Sequence, residues 1–578
     1  MYLPKLSEIA TSRQKIETFK GYNHNLRIGD GEFYDMKNLS SDNYPLLSPR
    51  QKRSVVIPSG EALKPNAIIS KEEIWYVDGS KICNYDKKTE YDLGLFDGDK
   101  QLVSMGAYII IMPDKKYINT ENEEDRGDIE ETFTSTETVT FTPCKVDGVA
   151  YENIKKQDSE PQDSTALWLD TSSEPHSLKQ YSTSSKQWVA IPTTYVKIEA
   201  DGIGENFNVY DGVTISGIND TSLIDLNASA VIWAKEDDYI VVTGLISKVT
   251  NETAQISVKR AMPDMDFITE SENRLWGCKY GNGVNEIYAS KLGDFKNWNC
   301  FMGISTDSYA ASVGSDGAFT GAITHLGYPL FFKENYLHKI YGNYPANYQI
   351  QTTACRGVQN GCSKSLAIVN EVLFYKARSG IVAYDGSLPA EMSYSFGSEK
   401  SYSSAVAGAL GNKYYVSMKD DEGVWSLFVY DSAKGMWHKE DALEAVDFCT
   451  HGGNLYFIDH ADNNIKAVRG EKIGVIEGNP VKWEAITGIM GTDSPDKKYI
   501  SRIDVRMMLD IGAKVIFFAE YDSSGVWEQL FTMTGRKLQS FAVPIRPQRC
   551  DHLRLKIEGE GEAKVFSICK TTEEGSDV

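Results

Sequence analysis

The sequence predicts an all-β chain built around a β-propeller of about seven blades. Three observations carry that expectation: a strand-favouring composition, a scarcity of helical periodicity, and hairpins that recur roughly every 40 residues. The chain holds 32 Tyr and 47 Gly, and aromatics make up 11% of it, so large flat side chains alternate with turn formers. Helical spacing is confined to KLSEIATSRQKIE at 5–17, where the apolar positions are sparse, and this stretch reads as one short helix or as an extended arm. Nearly everything else alternates in twos and is punctuated by Gly, Asn and Asp.

The hairpins share an order of parts: a Gly or Asn turn, an apolar strand, a polar tight turn, then a strand ending in Tyr-Asp or Tyr-Ala. They begin at Glu72 (EEIWYVDGSKICNYDKKTEYDLG), Ala107 (AYIIIMPDKKYINTE) and Asn273 (NRLWGCKYGNGVNEIYASKLGDFKNW). Four more begin at Gly327, Asn370, Asn412 and Gly452, with spacings of 43, 42 and 40 residues. A period near 40 with four short strands per unit is what a propeller blade requires, because each small twisted sheet buries its faces only against its neighbours. Unrelated hairpins of a sandwich would also repeat turns every 8 to 12 residues, and the evenness of the longer beat favours blades. VYDSAKGMW at 429–437 and IYASKLGDFKNW at 287–298 show the same Tyr, turn and Trp succession.

From this pattern the expected domains are an N-terminal arm or strap at 1–64, first blades at 65–122, inserted β modules at 123–265, further blades at 266–480, and a C-terminal β-sandwich at 481–578. The insertion opens on the acidic ENEEDRGDIEET, expected as a loop or linker. Loop entropy grows only logarithmically with length, so a surface turn carries such an insertion at small cost. Longer strands such as YISRIDVRMMLDIGAKVIFFAEYDSSGVWEQL mark the sandwich.

Charge narrows the partners. The net charge is -21, yet residues 1–64 carry ten Lys/Arg against seven Asp/Glu and residues 481–578 fourteen against fifteen, so the acid lies in between. A basic footprint for gripping nucleic acid is missing, while an acidic surface suits a conduit through which DNA slides without sticking, or simply aids solubility. No apolar run approaches a membrane span and the start lacks a signal-peptide core, so a soluble, unexported chain is expected. Nine cysteines without a CxxC pair fit a reducing compartment. Cys355 and Cys362 in CRGVQNGC either bridge a loop or are two small buried hydrophobes.

Catalytic chemistry finds little footing. The eight histidines, at 24, 176, 325, 338, 438, 451, 460 and 552, include no HExxH, and neither GxxxxGK[ST] nor GxSxG occurs. His460 stands among Asp459, Asp462 and Asn463, which offers oxygen ligands to calcium or else forms an Asx turn, since the alternating ligand spacing is missing. DSSGVW at 522–527 and YDSAKGMW at 430–437 share Asp, Gly and Trp with the sialidase Asp box at other spacings, which ordinary turns also satisfy. The expectation is therefore no enzyme, no cofactor and no metal. A propeller glycan hydrolase with carboxylates from different blades stays a third choice.

FKGYNHNLRIGDGEFYDMKNLSSDNYPLLSPRQKR, from Phe19, resembles the opening segment of bacteriophage tail nozzle and hub proteins, the group of the tail tubular protein B type. The positions that carry the likeness are Gly21, Asn23, Asn38, Leu39, Pro45, Arg50 and Arg53. LWLDTSSEPHSLKQYSTSSKQWV at 167–189 is similar to a small aromatic module of phage tail and fibre proteins, and PIRPQRCDHLRLKIEGEGEAKVFSI at 544–568 resembles the closing region of phage structural proteins. The likeness implies a virion protein of the tail, assembled in the host bacterial cytoplasm. It further implies a homo-oligomeric ring of six below portal and adaptor, contacts with other tail proteins and fibres, and DNA passing along the lumen unbound. The alternative is a receptor-binding tail protein or adhesin, with Trp168, Tyr181 and Trp188 stacking on host sugars; those rings serve equally well to fill a small β core.

Overall fold

The computed structural model describes residues 11–58, 64–470, 474–491, 498–535, 537–545 and 549–573. Among these there is no α-helix; strands fill the chain, with four single-turn 3-10 segments. The fold is all-β and consists of many small sheets. The arm reading of 5–17 is the one that fits: Thr11–Ile16 is a strand running antiparallel to Ala563–Glu573, while 5–10 lie outside the described residues. No helix is long and apolar enough to cross a membrane among the described residues.

The chain divides into two compact units, one made of Met1–Lys100, Phe331–Leu337 and Thr353–Val578, the other of Gln101–Leu330 and His338–Thr352. In the first unit, four-stranded antiparallel meanders run Pro65–Lys71, Glu73–Asp78, Lys81–Asn84, Thr89–Asp92; then Ala367–Val369, Val372–Ala377, Gly380–Tyr384, Ala390–Glu391; then Tyr402–Leu410, Lys413–Asp420, Trp425–Asp431, Met436–Lys439. Ala445–His451, Asn454–Asp459 and Ile465–Ala467 form three strands of a further sheet, and its fourth is Ser54–Ile57, from the segment expected as a strap. First strands of successive sheets lie side by side. Ile68 N–H donates to Asp447 Oδ2 at 3.1 Å, and Thr450 Oγ1 donates to the Ala409 carbonyl at 2.6 Å. Gly408 allows that approach, because a Cβ there would stand 2.7 Å from the Phe448 Cβ.

Two larger sheets complete this unit. One orders Thr11–Ile16, Ala563–Glu573, Lys498–Leu509 and Gln539–Val543; the other orders Gly21–Tyr22, Glu32–Lys37, Lys482–Thr487, Leu553–Glu560, Lys514–Tyr521 and Glu528–Thr534. Phe541 of the first packs on Phe517 and Phe531 of the second, with centroids 5.7 and 5.5 Å apart. Strands from 11–37 and from 482–573 thus share both sheets.

The second unit repeats the meander with Gln101–Met105, Tyr108–Met112, Lys116–Asn119, Arg126–Asp128 and with Phe267–Ser271, Arg274–Gly281, Val284–Ala289, Tyr309–Ser312. Arg126–Asp128 falls inside the acidic stretch expected as a loop: its backbone completes a sheet edge while Glu124 and Asp128 face solvent. Met105, Ile110, Ile268, Leu275, Phe295 and Trp298 share one core. Trp298 sits in a loop and Trp437 in a strand, so the two similar Tyr–Trp stretches are folded differently.

Residues 131–260 build three further sheets. Two of them enclose an apolar core that includes Val139, Phe141, Val196, Ile198, Ile215 and Val258. The third, Ile154–Gln157, Leu167–Asp170, Ser177–Ser182 and Gln187–Ala190, opens with a parallel pair and buries Leu167, Leu169 and Leu178 on one face. This part is anchored by a buried trio: Arg260 and the Asn297 amide both donate to the Asp211 carboxylate, and Asn297 Oδ1 accepts from Gly212 N–H at 2.8 Å.

Candidate functional site

Two groups of residues singled out by sequence come together in the structure, and each lies within one unit. The first is the segment from Phe19 to Arg53. Gly21 stands at φ +87° against Met436–Lys439, where a Cβ would come 2.2 Å from the Trp437 carbonyl oxygen. Only a residue without a side chain fits there. Asn23 accepts from Asn25 with its side-chain oxygen and donates its N–H to the Phe33 carbonyl.

Asn38, also in the left-handed region at φ +54°, uses nearly all of its polar atoms. Its N–H donates to the Glu440 carbonyl at 3.0 Å, its amide to the Lys482 carbonyl at 2.8 Å, and its Oδ1 accepts from Arg50 Nε at 2.8 Å. Leu39 is fully buried beside it. Pro45 follows a cis peptide and its carbonyl accepts from Phe19 N–H at 3.1 Å, closing the segment on itself. Ser41 Oγ donates to Asp431 Oδ2 and Lys413 Nζ to Asp42 Oδ1, both at 2.6 Å.

Arg50 and Arg53 finish the clasp. Arg53 forks onto Asp441 through both terminal nitrogens, at 2.8 and 3.1 Å, and reaches Glu440 Oε2 at 2.7 Å. Arg50 lies 3.5 Å from Asp441 and 3.3 Å from Glu477. Burial alone would raise the Asp441 carboxyl, but the two guanidiniums outweigh it and hold it below the usual carboxylate range. Next to Gly21, His438 is fully enclosed; burial, reinforced by Lys413, pushes its ring down to about 3, and its Nδ1 has no hydrogen-bond partner.

The second group is the aromatic module. Trp168, Tyr181 and Trp188 occupy one face of the sheet opposite the leucine core, because their register places them on alternate positions of three neighbouring strands. Trp188 stands edge-on to both Trp168 and Tyr181, at 5.7 and 5.5 Å. Trp168 is 5% exposed; its indole N–H donates to the Gln157 carbonyl and the Lys179 ammonium sits 4.7 Å over its ring. It is a packing residue, while Tyr181 and Trp188 are half-buried and keep a face toward solvent. Lys179 also pairs with Asp170 at 2.7 Å, and hydrogen bonds from Lys179 and Ser172 lower that carboxyl to about 2.

The remaining sequence candidates resolve into local structure. Asp459 and Asp462 both hold Lys466, at 2.6 and 2.7 Å, and each caps a turn through the N–H two residues on, so the stretch around His460 is an Asx turn. Cys355 and Cys362 are separate thiols, each raised to about 11 by burial. Asp522 of DSSGVW accepts from the N–H groups of Asp551 and His552. No group of three metal-ligating side chains converges among the described residues. The anchoring role of Glu440 and Asp441 was missed in the sequence, where HKEDALE carries no signal beyond a charged turn.

No family model matches the chain, and no curated protein matches it. Among solved structures it is similar to BamB from Moraxella catarrhalis, at 10% identity over 75% of this chain and 97% of that one, with a TM-score of 0.29. It is also similar to Raptor from Chaetomium thermophilum (9%, 72% of this chain and 29% of that one, TM-score 0.30). The endosialidase of phage phi92 gives 10%, 78%, 74% and a TM-score of 0.25. At such scores none of them bears on what the chain does.

Proposed function

We propose that this chain is a structural protein of a bacteriophage tail, a nozzle- or hub-type component that forms part of the DNA conduit and a platform for other tail proteins. In this reading the four-stranded meanders and the sheet of Ala445–His451, Asn454–Asp459 and Ile465–Ala467 are the blades of one β-propeller of about seven blades, Ser54–Ile57 supplies the fourth strand of that last sheet, and the two sheets shared by 11–37 and 482–573 make a β-sandwich. The observation that carries it is the clasp. The positions on which the resemblance rests, Gly21, Asn23, Asn38, Leu39, Pro45, Arg50 and Arg53, each hold the opening segment in place through a close approach, a hydrogen bond, burial or an ion pair. A motif whose members share one structural task is what an assembly module would keep, and no reactive group is needed for it.

The reading takes the chain to be non-enzymatic, located in the virion, built in the host cytoplasm, and arranged as a six-membered ring by resemblance. The acidic middle of the sequence supports a lumen along which DNA passes without adhering. The test is direct: electron microscopy of the purified protein or its tail complex, with mass spectrometry of virions. Ring-shaped particles and presence in virions are expected; a strictly monomeric protein absent from virions overturns the reading.

One observation favours a second reading, a receptor-binding tail protein. Tyr181 and Trp188 present partly open rings beside the cationic Lys179. Binding to host cell-wall polysaccharide that is lost in Trp188→Ala, with folding intact, would establish it.

A further inference from the structure

A cleft of about 180 Å³ opens in the second unit where three hairpin connections meet: Ser271–Glu272, Leu326–Gly327 and Gly342–Asn343. Its walls are the half-buried Tyr328 and Tyr348, with Trp276, only 2% exposed, packed behind them. Trp276 stands edge-on to Tyr348 with centroids 5.0 Å apart, and Tyr348 is braced in turn by Tyr309 at 5.1 Å. Tyr328 is held by Tyr341 at 5.0 Å and by the Lys339 ammonium 4.2 Å from its ring centre. Leu326, 51% exposed, forms an apolar lip, and Glu272 and Asn343 stand at the rim.

The loops that carry these groups are fixed before any ligand arrives. Ser271 Oγ donates to the Gly327 carbonyl at 3.3 Å, joining two of the turns. Asn347 Oδ1 accepts from the N–H groups of Asn343 and Tyr344, both at 3.0 Å. Gly342, at φ +112°, lets the chain pass so close to the Asn347 carbonyl that a Cβ would stand 2.6 Å from it. A preorganised site spends little binding energy on ordering itself.

We propose that this cleft binds one uncharged pyranose ring of a glycan. The negative face of a Tyr ring attracts the polarised C–H face of a sugar, and the half-buried Tyr328 and Tyr348 supply such rings; a sugar's hydroxyls need both an acceptor and a donor. Glu272 supplies acceptors and the Asn343 amide supplies both kinds. Seating an apolar side chain from a protein would instead strip water from Glu272 and Asn343 without replacing it. The volume accommodates one ring, smaller than the clefts that hold drug-sized ligands. The site is separate from the Trp188 module and does not depend on the tail reading.

The experiment uses the full chain with methyl β-galactoside, methyl β-glucoside and methyl β-N-acetylglucosaminide as probes, followed by saturation-transfer NMR and titration. At least one glycoside is expected to bind with a Kd on the order of 1 mM. Tyr328→Ala and Glu272→Gln should each weaken it about tenfold or more while leaving thermal unfolding in place, and Trp188→Ala should leave binding unchanged. Absence of transfer from all three glycosides overturns the proposal. Binding that survives both cleft substitutions, or that disappears with Trp188→Ala, overturns it as well.

Discussion

Arg53 and Glu440 meet at 2.7 Å with both side chains 5% exposed, joining the strap to the turn that follows Met436–Lys439. A buried pair of this kind is costly to break, because the partner left behind keeps its charge without solvent. Arg53→Met, which leaves the buried Glu440 and Asp441 with only the longer contacts to Arg50, at 3.7 and 3.5 Å, is expected to cost about 3 kcal/mol. Urea unfolding followed by Trp fluorescence reads the loss. Replacing Arg53 and both acids together with apolar residues should recover most of it.

Asp441, the other carboxylate that Arg53 holds, sets an acid limit. The Asp441 carboxyl is held low in the folded state, so its contribution is complete above the ordinary carboxylate pKa of about 3.9 and is lost as pH falls through the lower folded value. In Arg53→Met, where Arg50 alone remains beside Asp441, much of that contribution should be missing at neutral pH already. Stability curves of the two proteins measured from pH 6 downward should therefore converge.

His438 works over a different window. Its ring is held at about 3 by burial, so between the unfolded value of about 6.5 and that folded value the unfolded chain binds a proton the folded chain refuses. Stability is fully present above the upper limit and declines as pH drops. Each pH unit inside the window costs up to about 1.4 kcal/mol. His438→Gln is expected to flatten the slope between pH 6 and pH 4 by up to one proton, measured by denaturant titration at several pH values.

Gly21→Ala places a Cβ against the Trp437 carbonyl at a left-handed backbone angle. The expected cost is on the order of 2 kcal/mol or more from strain and displacement. Limited proteolysis should cut the 19–53 segment sooner than in the parent protein, and equal cutting rates would show that the close approach is dispensable.

Trp168 and Trp188 should separate packing from exposure. Trp168→Ala removes a buried ring and is expected to cost about 3–5 kcal/mol and to loosen the sheet of Leu167–Asp170. Trp188→Ala loses two edge-to-face pairs, each worth about 1 kcal/mol. Hydrogen exchange of the amides in Ser177–Ser182 distinguishes the two outcomes.

Hairpins were legible because their turns announce themselves. Glu272 with Asn273, Leu326 with Gly327 and Asn370 with Glu371 all take the left-handed angles that tight β-turns demand, next to apolar strands with a period of two. The all-β class followed from such local chemistry. Pairing at long range was hidden: SVVI at 54–57 reads as any short apolar strand, and nothing local names Ile465–Ala467 as its partner. Arg50 and Arg53 could be singled out by resemblance, yet the acids that answer them lie almost 400 residues away in a plain charged turn. The face shared by Trp168, Tyr181 and Trp188 was open to reasoning by alternation, but which ring is buried depends on Lys179 and Gln157 covering Trp168.

The pairing of Ser54–Ile57 with Ile465–Ala467 also bears on how the molecule comes into being. About 400 residues separate the two strands, and a ribosome adding about 5–20 residues per second needs roughly 20–80 s to make them. Throughout that interval SVVI and the apolar side chains around it wait without their partner. Lys52 and Arg53 stand directly beside it, and charges flanking an apolar strand disfavour edge-to-edge pairing. The arginine that secures the finished protein thus also stands where the unfinished chain is most open to a wrong partner.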